Sequence, residues 1–165
     1  MFLPQFMALA FISQAPSPGS EKLDPSFKGL RLGASKTATV EKFGKPLKVS
    51  LKWNEGTIVG YGARIVFAYS GARFTFEELK GGHESLMTID VWSPSIPLDQ
   101  GIRVGMSKAE VLKILGLPRS ENPAKSGTEL WYSGDPGLGD YNELIITINK
   151  STGRVSEIRL DSNFD

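Results

Sequence analysis

The chain has 165 residues, of which 40% are hydrophobic and 22% are charged, and its net charge is +1. This composition predicts an ordinary soluble globule and excludes a nucleic-acid or anionic-lipid binder that depends on bulk positive charge. There is no cysteine and only one histidine, His83, so disulfides, thiol catalysis, a lipidated cysteine and zinc sites built from several histidines are excluded.

The N-terminal segment differs from the rest of the chain, because its first charged side chain is Glu21. An apolar run from Phe6 to Ile12 is followed by small residues at Ser13 and Ala15, which fit the −3 and −1 positions of a cleavage site. The run is shorter than the roughly 20 residues of a membrane-spanning helix. We therefore predict a signal peptide at 1–15, a linker at 16–26, and a secreted or periplasmic mature protein.

Two similar blocks follow, and their similarity suggests an internal repeat. The first reads GLRLGASK from Gly29 and the second reads GIRVGMSK from Gly101, 72 residues further on. At the same spacing, a Gly-x-Pro sequence recurs after each block. We predict a first repeat at 27–98 and a second at 99–165.

Each block is predicted to begin a short helix. In the second block Ser107 and Glu110 have the spacing of a capping box, an apolar stripe follows, and Gly116 can end the helix. These features predict a helix over 107–115. The first block predicts a weaker helix over 35–43, where Ala38 stands in place of the box glutamate.

Period-two patterns follow each predicted helix and indicate antiparallel strands. Because the helices are the only cover available for the apolar face of such a meander, we expect an α+β fold. It would consist of two tandem helix-plus-antiparallel-meander repeats, with the helices packed on one face of the sheet. The predicted strands are 49–53, 63–69, 72–77 and 86–92 in the first repeat, and 128–132, 143–148 and 154–160 in the second.

The repeated G-[LI]-R-[LV]-G-x-S-K motif, with its apolar helix and Gly-x-Pro ending, resembles the β-lactamase inhibitor protein fold. It also resembles the small lipoproteins of outer-membrane assembly, which have a single copy of the unit. The resemblance implies a helical element on a three- or four-stranded meander, duplicated in tandem as in the inhibitor. It covers about residues 27–160 by layout, but by identity only the two motif blocks. This chain lacks the cysteines of both families, and no inhibitory residue matches.

Alternation along the strands assigns side chains to two faces. Aliphatic and phenylalanine side chains fall on one face, and tryptophans and charged residues fall on the other. Tryptophan beside charged residues is typical of protein-binding hot spots. The predicted protein-binding face consists of Trp92, Trp131, Arg73, Glu77, Asp90, Thr147, Glu157 and Arg159.

No catalytic motif is recognisable, so we expect no enzyme, no catalytic residue, no cofactor and no bound metal. The glycine- and aspartate-rich stretch 134–140 is interpreted as a hairpin loop, and His83 as a loop residue. The main hypothesis is a secreted or periplasmic protein-binding module, inhibitor-like in character, with an unidentified protein partner, no nucleic acid, no membrane span and no lipid anchor. One alternative is a structural or assembly factor of the cell envelope. The other is a small-ligand binder or enzyme with its site in the groove between the repeats.

Overall fold

The structure, a computed structural model, describes residues 24–53, 61–79, 82–133 and 142–162. The predicted signal peptide, most of the predicted linker and the stretch 134–140 lie outside the described residues. The elements are α1 (Lys36–Phe43), β1 (Lys48–Trp53), β2 (Tyr61–Tyr69), β3 (Ala72–Leu79), β4 (Glu84–Val91), α2 (Lys108–Leu115), β5 (Ser120–Ala124), β6 (Gly127–Ser133), β7 (Asn142–Asn149) and β8 (Val155–Ser162).

All eight strands form one antiparallel sheet in the order β1-β2-β3-β4-β8-β7-β6-β5. The two halves of the chain meet at the centre, where β4 pairs with β8 and Asp90 lies opposite Arg159. Strands β1 and β5 therefore lie at opposite edges. The sheet is continuous across the two halves, and the proposed repeat boundaries at 27–98 and 99–165 stay a prediction.

The predicted fold class is wrong. The molecule is mainly an eight-stranded antiparallel sheet, and its two helices have only eight residues each. Each helix contributes a single fully buried side chain, Thr39 in α1 and Val111 in α2. Helices this short cannot cover an eight-stranded sheet, so the picture of helices as the cover for the meanders fails.

Irregular segments before each helix supply the missing cover. They contribute five buried side chains to the core, from Phe27 and Leu30 on one side and Ile96, Leu98 and Ile102 on the other. These pack against the inward side chains of the strands in a single hydrophobic cluster. Irregular segments have no period of 2 or 3.6 residues, so periodic patterns in the sequence do not reveal them. The prediction therefore assigned the cover of the sheet to the helices.

Asp99 ties these two segments together. Its carboxylate accepts hydrogen bonds from the Ser26 hydroxyl at 2.6 Å and from the backbone amides of Lys28 and Gly29 at 2.9 and 2.7 Å. Burial alone would raise the pKa of Asp99, but these hydrogen bonds, with the charge of Lys42, outweigh it and lower the pKa. The contact joins parts of the chain that are about seventy residues apart in sequence.

The helix ends follow the predicted chemistry. The capping box is confirmed, because the Ser107 hydroxyl accepts from the Glu110 amide and the Glu110 side chain accepts from the Ser107 amide. Ser35 caps α1 without a box, by accepting from the Ala38 amide. Both helices end at a glycine with φ of 78°, a conformation that disfavours other residues.

The seven predicted strands are present, with bounds shifted by one or two residues. Strand β5 was not predicted. Its sequence, Ser120 to Ala124, is polar and contains Pro123, which are signals of a turn and not of a strand. A bulge between Thr75 and Phe76 on β3 makes Met87 an extra residue on β4, so the simple alternation expected for that strand holds only from Thr88 onward.

Candidate binding face

Among the described residues, one face of the sheet carries no helix and no core segment, and we call it the open face. A row of side chains crosses it through five successive strands, because cross-strand partners share a face. The pairs are Arg73 with Asp90, Asp90 with Arg159, Arg159 with Ile145, and Ile145 with Trp131. Four residues of the predicted binding face are therefore brought into one line, with Ile145 between them.

Asp90 lies between the two arginines of this row and is only 2% exposed. One carboxylate oxygen accepts from Arg73 at 2.8 Å and the other accepts from Arg159 Nε at 2.6 Å. Burial would lower the pKa of Arg159, but hydrogen bonding to Asp90 and the charges of Asp90 and Glu157 outweigh burial and raise it. Arg159 also pairs with Glu157, so the two arginines of this part of the open face are matched by carboxylates.

The two tryptophans lie at different positions on this face. Trp131 is partly buried, and its indole N–H donates to Glu129 Oε2 at 3.0 Å. Trp92 directly follows β4 and is 46% exposed, while its backbone amide donates to Gly71. Three strand steps separate β4 from β6, which corresponds to about 14 Å. The backbone positions of the two tryptophans are therefore close enough for one partner surface to span.

The other predicted residues form a second row and one separate pair. Glu157 lies opposite Thr147, which in turn lies opposite Glu129, and Arg159 donates to Glu157 at 3.2 Å. Thr147 is buried. Glu77 lies apart from the Asp90 row, because Arg64 on β2 holds it in an ion pair of 2.6 Å.

Two residues of the face were missed by the sequence reasoning. Glu129 orients the Trp131 indole, and Ile145 supplies the apolar contact between Arg159 and Trp131 in the row. The alternation that placed Thr147 on this face also places Ile145 there, so the signal was available. Glu129 lies two residues before Trp131, which is also the same-face spacing.

The open face combines arginine, carboxylate and tryptophan side chains. Among the described residues, no three His, Asp or Glu side chains lie in an arrangement that could hold a metal ion. His83 is exposed. Within the same residues, no helix is long and apolar enough to cross a membrane. The ionisable groups of the Arg73–Asp90–Arg159 row form ion pairs with one another.

Comparison with known proteins shows likeness in structure alone. No protein-family model matches the sequence, and no curated protein matches it. A cysteine-rich secretory protein of Staphylococcus aureus superposes with a TM-score of 0.52 at 14% identity, over 87% of this chain and 47% of that one. An extracellular SCP-domain protein of Bacillus anthracis gives 0.47 at 13% identity, over 80% and 44%. A DUF4309 family protein of Bacillus subtilis, YjgB, gives 0.43 at 16% identity, over 82% and 84%.

The staphylococcal likeness concerns the fold alone. The chain spans less than half the length of the first two structures. At 14% identity, the staphylococcal structure shows a shared arrangement of the sheet. The resemblance to β-lactamase inhibitor proteins and outer-membrane-assembly lipoproteins stays a prediction from sequence.

Proposed function

We propose that this protein is a secreted or periplasmic, non-enzymatic module that binds another protein through the open face. The observation that carries the proposal is the row Arg73–Asp90–Arg159–Ile145–Trp131, which continues across the junction of the two halves. Arginine and tryptophan are the residue types that most often dominate binding energy at protein interfaces.

The central ion pairs prepare the face for binding. Asp90 holds the guanidinium groups of Arg73 and Arg159 in place, so little side-chain entropy is lost when a partner binds them. Both arginines keep substantial exposure, about half for Arg73 and 39% for Arg159. Their remaining N–H groups can donate to individual carboxylate or carbonyl oxygens of a partner, beside an apolar contact with Trp131 and Ile145.

Export rests on the sequence of residues 1–15 and its signal-peptide layout. The structural likeness to a staphylococcal protein described as secretory agrees with export but does not carry it. A module that acts outside the cytoplasm without cysteines depends on its hydrophobic core and ion pairs for stability.

A capture experiment tests the proposal. Residues 16–165, immobilised through the C-terminus, are exposed to periplasmic and extracellular fractions of the source organism, and retained proteins are identified by mass spectrometry. Trp131→Ala and Arg159→Glu should each weaken binding of the same partner by about 30-fold or more, the range of an interface hot spot. Leu117→Ala is the matched control, because Leu117 is an exposed apolar residue outside the open face.

Thermal unfolding of each variant separates binding from folding. Thr75→Arg gives a second test, since Thr75 lies on the open face and is only partly buried. Loss of the partner with Trp131→Ala and Thr75→Arg, at unchanged melting temperature, supports the open face. A partner retained equally by all open-face variants contradicts it.

A further inference from the structure

The β1 edge of the sheet differs from the open face and carries its own surface. The inward side chains of β1, Val49 and Leu51, are 56% and 54% exposed although they lie on the covered side of the sheet. Their cross-strand neighbours Phe67 and Ile65 are buried. With Val40 of α1, these side chains line an open apolar groove of about 660 Å³ between the helix and the edge, which we call the β1 groove.

The ion pairs at the start of the two helices differ. Lys36 at the start of α1 forms an ion pair with Glu84 on β4, and its backbone amide also donates to Glu84. The corresponding Lys108 of α2 instead pairs with Glu121 on edge strand β5 at 2.6 Å. An ion pair thus links α2 to its edge strand, and no such ion pair links α1 to β1 within the described residues.

Strand β1 also has a free backbone edge. Among the described residues it pairs only with β2, so alternate N–H and C=O groups along its six residues point away from the sheet. It contains no proline, in contrast to β5 with Pro123. An edge of this kind accepts an additional strand by main-chain hydrogen bonds, with side-chain pockets that read alternate residues.

The positive charge of β1 determines which kind of added strand would fit beside it. Lys48 and Lys52 alternate with Val49 and Leu51, so they project from the opposite side of β1 and are exposed. Neither lysine forms an ion pair within the described residues. Residues directly opposite them on an added strand would share their side of the sheet, where negative charge is stabilising.

We propose that the β1 edge binds an extended segment of a partner protein that alternates apolar and acidic residues, as an added strand of the sheet. The apolar side chains enter the β1 groove, and the acidic side chains lie beside Lys48 and Lys52. A second copy of β1 fits poorly, because antiparallel pairing centred on Ser50 places each Lys48 opposite a Lys52. Lys48 and Lys52 lie at the β1 edge of the open face, away from the Arg73–Trp131 row, and the proposal does not depend on the function proposed for that row.

An NMR titration of the folded chain tests the proposal. The probe is an eight-residue peptide that alternates isoleucine and glutamate, and the control peptide alternates isoleucine and lysine. The acidic peptide should shift amide resonances of 47–53 and of α1, and leave those of β5 and α2 unchanged. The basic peptide should bind at least about tenfold more weakly, since like charges would oppose Lys48 and Lys52.

Charge exchange makes the test specific. The double variant Lys48→Glu and Lys52→Glu should reverse the preference. It should bind the basic peptide, and its affinity for the acidic peptide should fall about tenfold. Lys125→Glu with Lys150→Glu is the matched control, because both lysines are exposed and lie in turns away from β1. Leu51→Glu, at a half-exposed position that tolerates polarity, should abolish the shifts in α1.

Each contrary result overturns the proposal. Absence of shifts at millimolar acidic peptide does so, as do shifts confined to the open face or an unchanged preference in the charge-exchanged variant. Sedimentation measurements that show a dimer of the unliganded chain, disrupted by Leu51→Glu, would assign the β1 edge to a second copy instead.

Discussion

The two ends of the sheet have helices of the same type but differ in how the edge strand is protected. At the α2 end, β5 is short and polar, contains Pro123, and is linked to the helix by the Lys108–Glu121 ion pair. Glu121 also lies close enough to Tyr132 to add to the effect of burial, and together they raise the pKa of Tyr132 to about 12. At the α1 end, β1 presents Val49 and Leu51 to solvent beside an open groove.

This difference shows that a repeated helix motif does not determine the environment of the strand beside it. Both helices begin at a serine cap and end at a glycine, and in both a tyrosine hydroxyl bonds the final carbonyl, Tyr69 to Gly44 and Tyr132 to Gly116. The side chains of the edge strands decide whether the end is closed. Proline and charge protect β5, which is a common way to prevent unwanted strand pairing.

The largest expected difference between the two ends concerns the buried residue of each helix. Val111 and Thr39 are the fully buried residues of α2 and α1. Val111→Ala removes two buried methyl groups and should lower the free energy of unfolding by about 2 kcal/mol. Thr39→Ala should cost about 1 kcal/mol, because it removes one methyl group and a hydroxyl bonded to the Ser35 carbonyl. Urea denaturation measures both, and an equal or reversed cost would contradict the comparison.

The caps should differ by a smaller amount. Ser107→Ala removes the hydroxyl of a complete capping box and should cost about 1 kcal/mol. Ser35→Ala removes a cap without a box partner and should cost about 0.5 kcal/mol. Denaturant midpoints at constant slope report the two costs. A midpoint unchanged by Ser107→Ala would show that the box does not stabilise α2.

The pH dependence of the two caps should differ as well. Hydrogen bonds from the Ser107 amide and hydroxyl lower the pKa of Glu110 in the folded state. A lowered folded pKa means that the charged box stabilises the fold above the ordinary pKa of a glutamate and that this stabilisation is lost as the pH falls through the folded pKa. The stability difference between the wild type and Glu110→Gln should therefore be present at pH 7 and disappear on acidification. The cost of Ser35→Ala should not change over the same range, and a Glu110→Gln difference that is constant with pH would contradict this account.

The local elements of the fold could be predicted from the sequence. Capping chemistry located α2, and alternation located seven strands, because both signals depend on neighbouring residues. The overall class could not be predicted, because the cover of the sheet is made by Phe27, Leu30, Ile96, Leu98 and Ile102 in segments without periodicity. Strand β5 was missed because pairing with β6 overrides the turn preference of Pro123 and its polar neighbours.

The sequence predicts which face of the sheet the candidate residues share, but not which residues are cross-strand partners. Alternation assigned Arg73, Asp90, Arg159 and Trp131 to the open face, and cross-strand register then aligned them. Sequence alone does not show that β4 pairs with β8, so the ion pairs of Asp90 with two arginines could not be derived. The exposure of Val49 and Leu51 could not be predicted from the sequence either. Alternation shows which face of the sheet a side chain lies on, but not how far that side chain is from a helix.

Footprinting of the captured complex tests the central claim most directly. Hydroxyl-radical oxidation of Trp92, Trp131, Leu51 and Leu117 is measured by mass spectrometry with and without the partner. The account predicts that the partner protects Trp92 and Trp131, while Leu117 at the α2 end stays as reactive as in the free protein. Unchanged oxidation of both tryptophans in a saturated complex would contradict the claim that the open face binds the partner.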